Sequence, residues 1–251
     1  AIAGLPASRG AAQATAIVRV FDLTAAVTGW NEKRARAAGR LCLAIHTHSL
    51  AHAGYFPGAT PLAAKLVVDP DTGEILGAQA VGPEGVDKRI DVLATAMAGG
   101  ITAPELADLE LAYAPPFGSA KDPVNILGYV AEDRLRGGAR AVQWHELEAA
   151  VAAGATLVDV RDDAEFAAGH IPGARHVPVD ELPGRVGELP AGPVVVYCAV
   201  GQRAHLAASW LRGLGVEAAN LDGGWQTWRA GTAAVAAAAA AEQARQAAPT
   251  S

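Results

Sequence analysis

Residues 193–203 read PVVVYCAVGQR, and this stretch decides the fold of the second half of the chain. Its unbroken β-branched run, residues 194–197, is typical of a strand buried in a parallel sheet. After Arg203, apolar residues recur at helical spacing until two glycines end the pattern. A strand, a short loop and a helix therefore follow one another. This order predicts Cys198 at the carboxyl end of a strand, where open α/β sheets hold their ligands.

The loop after this strand has the composition of an anion-binding cradle. Backbone N–H groups curled over the sulfur, the helix N-terminus and the Arg203 guanidinium all favour a negative charge on Cys198. Gly201 permits the backbone dihedrals that such a loop needs. The same cradle suits a sulfur anion in transit, such as thiosulfate, polysulfide or a persulfide. A plainer interpretation stays open, in which Cys198 is an inert cysteine buried at the end of a core strand.

Composition narrows the classes of protein and partner. A chain of 251 residues with 51% hydrophobic residues can form two modest cores. The net charge of −6 provides no basic surface, so we expect no nucleic-acid partner. Only two cysteines, Cys42 and Cys198, fit a reducing compartment, and no segment has the length and apolarity of a membrane span. We therefore expect a cytoplasmic protein without a membrane partner.

Three further motifs lie in order around the cysteine loop, and all four have the spacing of one family. They are LVDVRDDAEF (157–166), GHIPGA (169–174) and LDGGW (221–225). With the loop, they make residues 143–229 resemble the rhodanese family. The resemblance implies an α/β domain with a central parallel sheet, in which Cys198 carries a persulfide and Arg203 stabilises its charge. It also implies an anion-binding loop made of Ala199, Val200, Gly201 and Gln202.

Details of these motifs bear on specificity. Related dual-specificity phosphatases have a loop longer than the six residues 198–203, so phosphatase activity is disfavoured. Gln202 is not the commonest family residue at its position, which leaves the sulfur donor open. Asp159 and Arg161 end the neighbouring strand and support the pocket, either directly or as an ion pair that ties a loop. We expect His170 to be a turn residue rather than a catalytic base.

The first half of the chain predicts an α+β unit, a small antiparallel sheet covered by helices. Its clearest element is a β-hairpin, with strands at 63–69 and 74–81 around the turn PDTG. Residues 3–131 resemble the C-terminal dimerisation domain of the pyridine-nucleotide disulfide oxidoreductases, in the branch of the coenzyme A disulfide reductases and NADH oxidases. The segments that carry this resemblance are VFDLTAAVTG (20–29), HAGYFPG (52–58), residues 69–82 and, most specifically, LAYAPPFGSAKDP (111–123).

This second resemblance implies a homodimer and cofactors held elsewhere. Members of the branch bind FAD and NAD(P)H in folds N-terminal to this domain, and some carry a C-terminal rhodanese domain. No Gly-x-Gly-x-x-Gly follows a strand in this sequence, so we expect no cofactor bound by this chain alone, with FAD, NAD(P)H and coenzyme A implied for an N-terminal part. By resemblance, Tyr55 and Tyr113 face the flavin and substrate site of the partner subunit. Ordinary aromatic packing of the two tyrosines stays equally open.

Other local predictions follow from pattern alone. Residues 15–20 are predicted as a strand, Asp22 or Thr24 as the cap of a short helix, and 41–47 as a strand that includes Cys42. Thr102 is predicted to cap a helix with Glu105 in a capping box. On the 41–47 strand, alternation places His46 and His48 on one face, where His52 is the nearest third ligand. We favour a polar strand face over a metal site, and no metal is expected.

The predicted domains are a dimerisation-type domain (1–131), a linker (132–142), a rhodanese domain (143–229) and a frayed alanine-rich tail (230–251). The favoured function is sulfurtransferase activity, moving sulfane sulfur from a small anion or persulfide through Cys198 to a thiol acceptor, within a coenzyme A disulfide or persulfide reductase-like architecture. Two alternatives stay open. One is a fragment or subunit of an FAD- and NAD(P)H-dependent disulfide or polysulfide reductase, and the other is a non-catalytic dimerisation or docking module.

Overall fold

The structure is a computed structural model that describes residues 12–247. The chain divides into two compact units. The first holds the described residues up to 43 together with 49–128, and the second holds 44–48 together with the described residues from 129 onward. Residues 1–11 of the predicted first domain and 248–251 of the predicted tail lie outside the described residues.

The first sheet is antiparallel and has five strands in the order β1-β2-β5-β4-β3. Its buried positions include Leu62, Leu66 and Ala78, and the helix α2 buries Ile90 and Leu93. The predicted α+β class and the central hairpin are confirmed. The elements are β1 (Ala16–Val20), β2 (Leu23–Gly29), α1 (Glu32–Ala37), β3 (Leu43–Leu50), β4 (Pro61–Val68), β5 (Ile75–Gly82), α2 (Val86–Gly99), a 3-10 helix (Pro104–Asp108) and α3 (Pro123–Leu135).

Three local predictions in this half were wrong. Asp22 and Thr24 do not cap a helix, because Leu23–Gly29 pairs with both β1 and β5 as a strand. Cys42 precedes β3 rather than lying within it. The Glu105 carboxylate does accept the Thr102 N–H at 2.7 Å. The element that follows is nevertheless a 3-10 helix capped by Ala103, since Pro104 occupies its first position.

The second sheet is parallel, with strand order β6-β10-β9-β7-β8, so the predicted α/β class is confirmed. Its elements are β6 (Ala141–Val142), α4 (Leu147–Ala152), β7 (Thr156–Asp159), α5 (Asp163–Ala167), β8 (Arg175–His176), α6 (Leu182–Arg185), a 3-10 helix (Val186–Glu188), β9 (Val194–Tyr197), α7 (Gln202–Gly213), β10 (Ala218–Leu221) and α8 (Gly224–Ala247).

The strand β9 lies at the centre of this sheet and is buried on both faces. Val194 and Val196 share one core with Cys198 and the inner side of α7, whereas Val195 and Tyr197 point into the core on the other face. Alternation along the strand therefore decides that the Cys198 side chain faces α7. The buried stripe of α7 consists of alanines and Leu211. Two other apolar positions of that helix, Leu206 (62% exposed) and Trp210 (38% exposed), face outward.

The alanine-rich end of the chain differs from the predicted frayed tail, because α8 runs without a break from Gly224 to Ala247. Its first turns are packed, and Gly231 lies so close to the Trp144 ring that a Cβ there would come within 2.5 Å of it. Helix nucleation is the costly step, so a packed first turn lets the alanine run propagate at little further cost. Across the described residues, no helix combines the length and the apolarity that a membrane crossing requires.

Candidate active site

The Cys198 sulfur lies at the carboxyl end of β9, at the start of the loop that leads into α7. Its Sγ atom accepts the Gly201 N–H at 3.2 Å, and the whole residue is 1% exposed. Gly201 has φ +94°, a conformation that favours glycine, and it is the residue directly before α7. The loop therefore turns one amide onto the sulfur just before the helix begins. Among the described residues, Gly201 is the one amide of the predicted cradle with a hydrogen bond to this sulfur.

The first turn of α8 fixes the back of this loop. The Trp225 N–H donates to the Cys198 carbonyl at 2.8 Å, and the Gln226 N–H donates to the Ala199 carbonyl at 3.0 Å. Gly224 makes this approach possible, because a Cβ there would lie 2.4 Å from the Cys198 carbonyl oxygen and 2.8 Å from the Gly201 nitrogen. Asn220 adds a side-chain hydrogen bond of 3.1 Å to the Gly201 carbonyl. The LDGGW segment thus sets the shape of the cysteine loop.

Arg203 is held by a carboxylate. Its guanidinium lies 2.7 Å from both oxygens of Glu165, and the two side chains are 36% and 30% exposed. Burial opposes the arginine charge, but the hydrogen bond and charge of Glu165, together with the nearby Cys198 sulfur, outweigh it and raise the pKa of Arg203. The predicted cation is present beside the loop, and it already has an anionic partner.

Asp159 and Arg161 form a buried ion pair at the end of β7. Arg161 donates to the Asp159 carboxylate from Nε at 3.0 Å and from Nη2 at 2.6 Å, and the two side chains are 3% exposed or less. The Arg161 guanidinium also donates to the Gly169 carbonyl at 2.7 Å and lies 5.1 Å from the Trp225 ring centroid. Burial lowers the pKa of Arg161, but Asp159 more than compensates and raises it. The pair ties β7 to the GHIPGA turn and to the start of α8.

His170 lies in that turn, as predicted. Its Nδ1 is 3.2 Å from the Phe166 carbonyl, and its ring stacks on the Phe166 ring with centroids 3.9 Å apart. These contacts give it a role in packing the turn.

The candidate metal ligands His46 and His48 contact other side chains of the second unit. His46 Nδ1 lies 2.7 Å from the buried Asp222 carboxylate, and His48 Nε2 lies 2.7 Å from the Thr227 hydroxyl. His52, the suggested third ligand, contacts the Ala53 carbonyl. In the described part of the chain, no group of three or more His, Cys, Asp or Glu side chains is arranged to hold a metal ion.

Tyr55 and Tyr113 meet in the first unit. Their hydroxyl oxygens are 2.7 Å apart, and the residues are 77% and 47% exposed. The hydrogen bond from Tyr55 is the main reason why the pKa of Tyr113 is raised. The tyrosines therefore form an exposed pair rather than part of a core.

Comparison with known proteins accounts for both units. The model described as the dimerisation domain of pyridine nucleotide-disulphide oxidoreductases matches residues 15–123, and the model described as a rhodanese-like domain matches residues 143–231. The chain joins these two domains. The sequence-based recognition is therefore confirmed, while the exact domain boundaries remain predictions.

Relatives that combine both domains are similar over most of this chain. The structure of Bacillus anthracis CoADR-RHD is 43% identical, with a TM-score of 0.84 over 86% of this chain and 39% of that chain. The NAD-dependent persulfide reductase from A. fulgidus is 37% identical, with a TM-score of 0.81 over 90% of this chain and 42% of that chain.

The match to curated relatives is limited to the first half of the chain. The coenzyme A disulfide reductase of Staphylococcus aureus (strain bovine RF122 / ET3-1) is 42% identical over 116 residues, which are 46% of this chain and 26% of the relative. The match thus spans about a quarter of that relative's length.

Two residues of the rhodanese-like site were quoted in motifs without being assigned a role. Glu165, in the first motif, pairs with Arg203, and Gly224, in LDGGW, lets α8 approach the cysteine loop. The doubled glycine of LDGGW was a signal for close backbone approach, since a residue without a Cβ is needed there. The Glu165 contact joins residues 38 positions apart, and no local pattern reports it.

Gly224→Ala should open the cysteine loop. The added Cβ collides with the Cys198 carbonyl, and φ at this position is +59°, so we expect a destabilisation of about 2 kcal/mol or more. Thermal unfolding and the alkylation rate of Cys198 measure the two effects. Gly215→Ala is the matched control, because Gly215 also has positive φ (+82°) but open space around its Cβ position. Equal stability loss in the two variants, with equal Cys198 alkylation, would contradict this account.

His48 should make the protein less stable in mild acid. Burial and the neighbouring His46 lower the pKa of His48 from the usual 6.5 to about 4, although Asp222 opposes the shift. Since the unfolded chain then takes up the proton first, stability is complete above pH 6.5 and falls by up to roughly 3 kcal/mol as the pH drops towards 4.

Unfolding measured from pH 8 to pH 4 tests this expectation. His48→Gln should flatten the acid limb, whereas His170→Gln, which changes an exposed histidine, should leave the limb as it is in the wild type. An unchanged limb in His48→Gln would show that another group causes the acid loss.

Proposed function

We propose that the rhodanese-like domain is a sulfurtransferase that carries sulfane sulfur on Cys198. The observation that supports this most directly is the position of the sulfur, on the Gly201 amide at the end of β9 and directly before α7. A cysteine used only for packing needs neither a positive-φ glycine turned onto it nor an arginine at the start of the following helix. The rhodanese-like match and the relative named as a persulfide reductase support the same chemistry.

The first half-reaction is a displacement at sulfur. The Cys198 thiolate attacks the outer sulfur of thiosulfate, the S–S bond of the donor breaks, and sulfite leaves with its electron pair. Cys198 then carries a persulfide anion. With a polysulfide or an organic persulfide as donor, the shortened polysulfide or the thiolate is the leaving group. No external oxidant or reductant is needed, because the transferred sulfur keeps its oxidation level.

The second half-reaction regenerates the enzyme. An acceptor thiolate attacks the outer sulfur of the Cys198 persulfide, the new S–S bond of the enzyme breaks, and the Cys198 thiolate leaves. The Gly201 N–H and the Arg203 guanidinium stabilise the negative charge before and after each transfer, with the loop residues Ala199, Val200 and Gln202 forming the rest of the cradle. The Asp159–Arg161 pair supports the pocket by fixing the end of β7.

The dimerisation domain places this site in a larger architecture. The domain type supports a homodimer, and relatives that share it are named coenzyme A disulfide reductase and NAD-dependent persulfide reductase. We propose that the exposed Tyr55–Tyr113 pair faces a flavin and substrate site formed with a partner subunit. In such an assembly, FAD and NAD(P)H would supply reducing equivalents and coenzyme A would be the thiol carrier.

The described residues of this chain do not themselves fit FAD or NAD(P)H. Dinucleotides bind at a glycine-rich turn between a parallel strand and a helix. In the parallel sheet described here, the turn after the central strand β9 holds Cys198 instead, and the first sheet is antiparallel. Reduction steps therefore belong to other parts of the assembly, and sulfur transfer belongs to this domain.

Cys198→Ser should abolish sulfur transfer. Transfer from thiosulfate or polysulfide to cyanide or a thiol should fall by about three orders of magnitude, because a serine hydroxyl cannot carry sulfane sulfur. Mass spectrometry should find one extra sulfur on Cys198 of the donor-treated wild type. Cys42→Ser, which alters the other free cysteine, is the control and should keep full activity. Equal activity of Cys198→Ser and wild type would end the proposal.

Arg203→Ala should weaken donor binding more than it alters the fold. A half-exposed guanidinium contributes little to folding stability, whereas it meets the full charge of the donor, so we expect KM for thiosulfate to rise about tenfold. Arg203→Lys should recover part of this loss, because it keeps the charge without the guanidinium geometry. Steady-state kinetics with a thermal unfolding control tests both variants. An unchanged KM in Arg203→Ala would remove Arg203 from the cradle.

A further inference from the structure

The arginine of the cysteine loop is shared between a ligand that arrives and a carboxylate that is always present. Arg203 Nη2 lies 2.7 Å from each oxygen of Glu165, and both side chains are about one-third exposed. A pair at this level of exposure contributes little to folding stability, because water solvates each partner nearly as well. For the same reason, the pair can exchange partners when another anion reaches Arg203.

Glu165 is held in place independently of Arg203. It is the third residue of α5, where its N–H donates to the Asp162 side chain at 2.8 Å and its Oε2 accepts the Asp162 N–H at 3.3 Å. This capping box fixes both backbone and side chain. The Asp162 carboxyl also feels the Arg203 charge, which contributes to its lowered pKa after the hydrogen bonds with Glu165. Two carboxylates therefore face the single guanidinium.

We propose that Glu165 is a positioning residue that makes the Cys198 loop discriminate between sulfur donors by their charge. The inference rests on the proposed sulfur transfer and adds a selectivity to it. A donor anion must compete with Glu165 for Arg203 and also approach its negative charge. This repulsion scales with the charge of the donor, so it acts about twice as strongly on doubly charged thiosulfate as on an alkyl persulfide with at most one charge.

Glu165→Gln separates the charge from the local structure. Glutamine serves the third position of a capping box as glutamate does, so the start of α5 keeps its hydrogen bonds. The variant loses only the negative charge next to Arg203. We expect KM for thiosulfate to fall by about three- to tenfold and KM for 2-hydroxyethyl persulfide to fall by a clearly smaller factor. The ratio of kcat/KM for thiosulfate to that for the persulfide should therefore rise.

Two further variants sharpen the test. Glu165→Asp keeps the charge and should retain the donor preference of the wild type. Glu188→Gln removes an exposed carboxylate that pairs with Arg185 in the same domain, so it is the matched control for a change in net charge and should leave the donor ratio unaltered. If Glu165→Gln leaves the ratio unchanged, or raises KM equally for both donors, then Glu165 merely orients Arg203 and the proposal is wrong.

Sulfate separates this inference from the proposed function. Sulfate is a doubly charged anion that cannot donate sulfane sulfur, so calorimetric titration with sulfate requires no turnover. Its affinity should rise by about three- to tenfold in Glu165→Gln relative to wild type, with Glu188→Gln unchanged. An unaltered sulfate affinity contradicts the charge competition even if sulfur transfer is found. A raised sulfate affinity supports it even if Cys198 proves inactive.

Discussion

A single backbone hydrogen bond, from the Trp225 N–H to the Cys198 carbonyl, is the contact on which the candidate site depends. It holds the cysteine loop against the first turn of α8, and it forms only because Gly224 leaves no Cβ between the two backbones. With the loop held there, its Gly201 N–H is directed at the sulfur. The geometry of the thiol is therefore set by backbone atoms, which side-chain rotamer changes cannot displace.

The sequence was sufficient where local pattern and burial agree. The run 194–197 was identified as a buried parallel strand because a strand between β7 and β10 needs apolar residues on both faces, and this requirement is visible in the residues themselves. The position of Cys198 and the start of α7 then followed. At residues 23–29, in contrast, Asp22 and Thr24 resemble helix caps. Pairing with β5, more than fifty residues further along the chain, decided the structure there, and local pattern does not report it.

The same distinction separates the predicted from the unpredicted part of the site. Asp159 and Arg161 are two residues apart, so their pairing could be proposed from the sequence. Arg203 and Glu165 are 38 residues apart, and they meet only because α5 and α7 begin on neighbouring loops of the parallel sheet. Arginine beside the sulfur was expected as a cation awaiting its ligand. The structure shows that this cation is already neutralised, which changes the electrostatic environment that a donor meets.

Two arginines with similar partners thus have different uses because their exposure differs. Arg161 and Asp159 are almost fully buried, so separating them would leave an unsolvated charge, and the pair can only act as a fixed support. Arg203 and Glu165 retain about one-third of their exposure, so water compensates when they part. Exchange with an incoming anion is therefore possible at Arg203 and not at Arg161. Burial, rather than the identity of the charged groups, assigns one guanidinium to the scaffold and the other to the ligand.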